Sequence, residues 1–206
     1  MPGATLLITR RDIMKKRLIL GLLFGSLIFI AGCLPIGLML PPTFLPAGGF
    51  DIGVGAEVVV GEGLFPWVFE AQPRYAFTDG VEGSMRVAIS PFIGEGVFPL
   101  YLEGGGRVRF TKNPVLSLYA GIGALTFIGS SAETPLLPIF RLAPTLGFRL
   151  GGTTYAFLRG QVLYAEGPLF IVGGGLSGQH WILEGSVPLP ISDEGFGFFL
   201  TAGARF

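Results

Sequence analysis

The chain has 206 residues, with 14 basic and 14 acidic side chains, so its formal net charge is zero. That balance leaves no basic footprint for nucleic acid. Charged residues are 14% of the chain and hydrophobic residues 50%, against about 25% charged in soluble domains. A membrane helix bundle is also excluded beyond residue 42, because Gly (34 residues) and Pro (16) break every apolar stretch before it is long enough to span.

Residues 1–32 read as a targeting segment. Arg10, Arg11, Lys15, Lys16 and Arg17 form a basic region ahead of the apolar run from Leu18 to Ile30. Met14 is an alternative start, which would make residues 1–13 a spurious extension. Ile30-Ala31-Gly32-Cys33 resembles the lipobox of bacterial lipoproteins, and that resemblance implies cleavage before Cys33 and acylation of its sulfur. Cys33 is the single cysteine, so an internal disulfide is impossible. Residues 33–49 follow as an apolar, Pro-rich linker too irregular for a strand. Two placements stay open for it: along a membrane interface or tucked under the domain that follows.

From Phe50 to Phe206 apolar side chains occupy alternate positions, the period of a strand with two different environments. Phe196, Phe198, Leu200, Ala202, Ala204 and Phe206 share one face, and Gly197, Phe199, Thr201, Gly203 and Arg205 the other. An internal repeat supports a hairpin meander. GEGLFP at 61–66 recurs as GEGVFP at 94–99, and the 33-residue shift also relates Glu70 to Glu103, Arg74 to Arg107 and Phe77 to Phe110. Ten strands are expected, near 50–60, 66–77, 81–92, 98–110, 114–128, 139–150, 154–165, 169–177, 180–189 and 195–206. Eight is the alternative count.

The expected architecture is therefore all-β, a transmembrane antiparallel up-and-down barrel over residues 50–206. Short turns at 78–80, 111–113, 151–153 and 178–179 would lie on one side, and the Gly-Glu-Gly connections, 130–138 and 191–195 on the other. Face parity requires an odd turn between Arg74 and Glu82 and an even one at Gly178-Gln179. Pro73 and Pro144 fall mid-strand and imply bulges or a local departure from the expected register.

The face opposite the apolar stripe collects the charge. It carries Asp51, Glu57, Glu70, Glu82, Glu103 and Glu184 with Arg74, Arg86, Arg107, Arg109, Arg141, Arg149, Arg159 and Arg205. In a lipid-facing barrel these must point inward, because Arg near the midplane costs about 2–4 kcal/mol. A two-residue turn at Gly94-Glu95 would pair Arg86 with Glu103 and Glu82 with Arg107. Eight arginines against six acids leave a small excess of positive charge.

With this alternation, and a last strand ending in Phe206, residues 50–206 resemble the small monomeric outer-membrane β-barrel proteins of Gram-negative bacteria. The resemblance implies residence in outer-membrane lipid as a monomer, and recognition of Phe206 by the barrel-assembly machinery. The functional expectation is an integral outer-membrane barrel with a charged, largely side-chain-filled lumen, structural or passively permeable to small solutes. The alternative is a lipid-anchored soluble barrel holding an apolar ligand, as lipocalins do, with the Phe-rich face inward.

No enzyme is expected. His180 is the single histidine, with Ser177 and Glu184 nearby in sequence, but it falls beside a turn. One His and one Cys give no metal-ligand cluster, and no cofactor is implied. The runs Gly104–Gly106 and Gly173–Gly175 lack the strand-to-helix context of a phosphate loop and instead suit strand curvature.

Overall fold

The computed structural model describes residues 36–60, 67–91, 98–129, 136–165, 167–189 and 198–206. Ten strands form one closed antiparallel barrel: β1 (Phe50–Val60), β2 (Trp67–Thr78), β3 (Val81–Ile89), β4 (Phe98–Lys112), β5 (Val115–Ile128), β6 (Leu137–Gly151), β7 (Thr154–Tyr164), β8 (Pro168–Ser177), β9 (Trp181–Leu189) and β10 (Phe198–Arg205). Each strand pairs with its sequence neighbours, and β1 closes on β10 with Gly55 opposite Gly203 and Glu57 opposite Thr201. The expected ten-strand meander is the observed fold. The Gly-Glu-Gly connections, the loop after residue 129, the segment 190–197, Cys33 and the basic leader lie outside the described residues.

One end of the barrel carries the tight turns and the other the longer connections. The turns sit slightly differently from expectation. β4 runs on to Lys112, so the β4–β5 turn is Asn113-Pro114, with Lys112 opposite Val115. The β8–β9 turn slides by one residue: Gly178 N–H bonds the Trp181 carbonyl (2.9 Å), leaving Gln179-His180 at the tip. Gly175 then faces Glu184 and Gly173 faces Ser186, a shift that keeps the expected parity. Between β2 and β3 the register shifts between Ala76 and Thr78, which holds Arg74 and Glu82 on one face. Pro73 and Pro144 correct the expectation of bulges. Ladder pairs are skipped beside each, but the register on either side is unbroken, with Arg74 opposite Ser84 and Thr145 opposite Arg159. A missing donor interrupts a ladder without inserting a residue.

Alternation sends phenylalanine outward and charge inward. On β10 and the residue after it, Leu200, Ala202 and Phe206 are exposed while Phe199, Thr201 and Arg205 are buried. The exposed charged residues among those described are Asp79, Lys112 and Arg149, each in or beside a tight turn. The outer wall also has an order that simple alternation did not reveal. Phe50, Tyr75, Phe77, Phe110, Phe148, Trp181 and Phe206 ring the turn end. Trp67, Phe69, Phe98, Phe140, Tyr164 and Phe170 ring the loop end, with aliphatic residues such as Leu102, Ile122, Leu142 and Leu183 between.

Candidate functional site: the lumen and the strap inside it

The Pro-rich segment ahead of β1 lies in neither of the two expected places. It enters the lumen and runs along it. Gly48, at φ 77°, turns the chain back from β1, a conformation that favours glycine. Gly48 N–H bonds the Ala76 carbonyl (2.8 Å), and Ala76 N–H bonds the Gly49 carbonyl (2.9 Å), at the turn end of β2. From there residues 45 to 36 pass inward, and residues 36–42 are buried. Ile36 finishes among Val68, Tyr101, Leu125, Ile139, Leu163, Ile171 and Phe199, an apolar cluster at the loop end.

The strap is held by its main chain. Arg74 Nη1 and Arg107 Nη2 both donate to the Thr43 carbonyl, at 3.0 and 2.9 Å. Arg107 also reaches the Pro41 carbonyl, and Arg159 the Leu40 carbonyl. Arg159 Nη1 donates to Leu38 O (2.8 Å), Arg86 to Gly37 O, and Arg141 Nη1 to Ile36 O (2.9 Å). Glu57 accepts from Ile36 N–H (2.9 Å) and Gly37 N–H, and Glu82 accepts from Leu45 N–H (2.6 Å). Pro41 and Pro42 have no N–H, so this stretch offers mainly acceptors, and guanidinium groups supply the donors. That is why an arginine-rich lumen suits a proline-rich occupant.

Wall glycines make room for the strap's side chains. A Cβ on Gly203 would overlap the Met39 methyl, and one on Gly55 would lie 2.6 Å from it, so the seam between β1 and β10 is a notch for Met39. Gly147 is similarly filled by Pro42. Phe44 lies under Arg107 at 4.0 Å and Arg109 at 5.1 Å, closing the strap at the turn end.

The same arginines face carboxylates. Arg74 bonds Asp51 (2.7 Å) and Glu82 (3.2 Å), Arg107 bonds Glu82, and Arg205 also reaches Asp51. Arg159 pairs with Glu184, to which Ser186 donates at 3.2 Å. The internal repeat thereby acquires a structural meaning. Arg74 and Arg107 occupy equivalent places on β2 and β4, flank Glu82 on the strand between them, and grip the same carbonyl.

Side-chain pairing departs from the backbone register at one expected pair. Arg86 does sit opposite Glu103 and Glu82 opposite Arg107. Arg86, however, pairs with Glu70, its Nε 2.6 Å from Oε2, and Glu103 pairs with Arg141 at 3.0 Å. Glu103 also accepts from Tyr119 (2.6 Å) and Tyr101, while Arg141 donates to Gln161 at 2.6 Å. Long guanidinium arms reach diagonal partners, so directly opposed residues need not bond. Arg149 departs from the expected network: it is exposed at the rim and donates to the Gly152 carbonyl (2.9 Å). Arg109 is half-buried over Phe44. Asp51, Glu57, Glu70, Glu82, Glu103 and Glu184 meet Arg74, Arg86, Arg107, Arg141, Arg159 and Arg205 inside, and with Arg109 half-buried on the same face the expected positive excess falls to one among the described residues.

His180 lies exposed at a turn with Nδ1 3.4 Å from the Arg205 carbonyl, whereas Ser177 is buried and Glu184 is occupied by Arg159 and Ser186. The three are not brought together. Among the described residues no group of three His, Cys, Asp or Glu side chains is placed to hold a metal ion. Tyr101, Tyr119, Thr145 and Gln161 belong to the lumen network but were not singled out from sequence. Their lumen parity was the available signal, as were the glycines Gly53, Gly55, Gly147 and Gly203 on the same face.

No protein-family model matches the chain, and no curated protein does. Several solved structures are similar in fold. The attachment invasion locus protein Ail of Yersinia pestis is 18% identical, with 76% of this chain and 96% of that chain covered and a TM-score of 0.36. The translocator domain of the autotransporter NalP from Neisseria meningitidis is 10% identical, with 98% and 99% covered and a TM-score of 0.38. The outer membrane protein Omp33 of Acinetobacter baumannii is 10% identical, with 76% and 98% covered and a TM-score of 0.38.

Proposed function

We propose that the protein is an integral outer-membrane β-barrel, closed by its own N-terminal strap and structural in role. The single observation that carries membrane residence is the sorting of side chains: aliphatic residues between two aromatic rings outside, charges inside. Phe69 and Phe77 are eight residues apart and Phe98 and Phe110 twelve, or about 20 and 30 Å along the axis at ~3.3 Å rise and ~40° tilt. That brackets the ~25 Å apolar band of outer-membrane barrels, whose margins are aromatic girdles. A soluble barrel with an apolar ligand needs the opposite arrangement, so that reading loses its support.

Within the membrane reading, the strap favours a closed barrel over a passage for small solutes. It occupies the axis, its carbonyls engage the arginines, and an apolar cluster fills the lumen at the loop end. The nearly balanced interior also weakens the charge argument for anion passage. Phe206, exposed at the end of the last strand, is in this reading the residue met by the barrel-assembly machinery.

Heat-modifiable migration of the detergent-extracted protein tests the barrel, which should run as a compact band unheated and shift on boiling. Dispersion without detergent would sink membrane residence. In planar bilayers the intact chain should give no steady conductance; a stable open level would overturn the closed lumen.

A further inference from the structure

We infer that the lumen is a directional conduit for this chain, one that presents the polypeptide preceding Ile36 on the loop-side face of the barrel. The inference rests on the membrane reading above and goes beyond it. Both ends of the barrel sequence, Phe50 and Phe206, lie at the turn end. A chain leading into β1 would therefore ordinarily stay on that side. Here it does not. Thr43 is held near the turn end by Arg74 and Arg107, Leu38 and Leu40 lie midway on Arg159, and Ile36 reaches the loop-end cluster on Arg141 and Glu57.

The hold is built for main chain. Carbonyls of residues 36, 37, 38, 40, 41 and 43 each receive a guanidinium N–H from β2, β3, β4, β6 or β7, while Ile36, Leu38 and Leu40 add apolar packing and Met39 fills its notch. Such a track fixes the strap's depth and direction together: reversing the chain would exchange carbonyls for N–H groups in front of the arginines. The function assigned is display, with the barrel as a sleeve that carries its own leading segment across the membrane.

A short epitope inserted after Leu34 in the full-length protein tests this, with matched insertions after Ser131 in the β5–β6 connection and after Thr153 in the β6–β7 turn. Antibody staining of intact cells should reveal the tags at 34 and 131 at least tenfold above the tag at 153, which should stain only after permeabilisation. Staining at 131 with none at 34 until permeabilisation would overturn the inference and leave the membrane barrel standing. A tag at 131 hidden in intact cells would overturn the membrane orientation, and the inference with it. Heat-modifiable migration reports folding of each insertion. If the insertion at 34 does not fold, Leu34→Lys combined with Pro35→Ala adds a trypsin site without adding length. Trypsin applied to intact cells should then shift the N-terminal mass; an unshifted mass, with cleavage only in lysed cells, would again overturn the inference.

Discussion

The two halves of the lumen are packed by different physics. At the turn end Asp51, Arg74, Glu82, Arg107 and Arg205 form a continuous ion-pair cluster around the Thr43 carbonyl. At the loop end Ile36, Val68, Tyr101, Leu125, Ile139, Leu163, Ile171 and Phe199 form an oil-like stopper. Charged filling gives direction and depth to the strap, since every buried charge must find a particular partner. Apolar filling seals without specifying partners, because dispersion and burial are non-directional. Register is set in the ionic half, and the greasy half adds burial without register.

Breaking a buried ion pair between the two halves should have the largest effect. Arg86→Leu leaves the Glu70 carboxylate buried without its cation and releases the Gly37 carbonyl, a loss of about 3–5 kcal/mol. The temperature at which the compact gel band converts should fall sharply. Adding Glu70→Gln should restore part of the loss and adding Glu103→Gln should not, because Glu103 belongs to Arg141. Equal rescue by both would contradict that division.

In the greasy half, Ile139→Ala leaves a cavity in a side chain that is fully buried. Its cost should be about 3 kcal/mol, within the range for such truncations. The conversion temperature should drop less than for Arg86→Leu, and a closed conductance state should persist if the ionic half alone retains the strap.

At the seam, Gly203→Leu inserts a side chain where Met39 sits. Overpacking of this kind costs about 1–3 kcal/mol, and here the strap has an alternative, to leave. Conductance in a planar bilayer should therefore rise above that of the parent with only a modest loss of heat stability. The smallest effect belongs to Arg149→Ala. Its guanidinium is outside the lumen at the rim, and the band-conversion temperature should not move.

Alternation made the wall readable because the outer face and the lumen impose opposite demands on neighbouring residues. It was clearest where the inner face is ionic, as on β2 with Glu70, Gln72 and Arg74 between Phe69, Ala71 and Tyr75. It was least informative towards the loop end, where Leu125, Phe127 and Ile128 on β5 are apolar on both faces. Strand ends moved by one to three residues for the same reason turns are hard to place: sliding Gly178-Gln179 to Gln179-His180 preserves parity. Pairing among the charges was legible only as register. Which carboxylate each arginine reaches depends on barrel curvature, as Arg86 with Glu70 and Arg141 with Glu103 show.

From composition and period came the favoured expectation of a closed ten-strand wall, apolar face outward and ions within, beside the alternatives of eight strands and of an inverted, soluble barrel. Those follow from local chemistry repeated every second residue. The occupant of the lumen was decided by tertiary structure. Residues 36–45 carry no strand period, and their place depends on guanidinium groups from five strands that converge only once the barrel is closed.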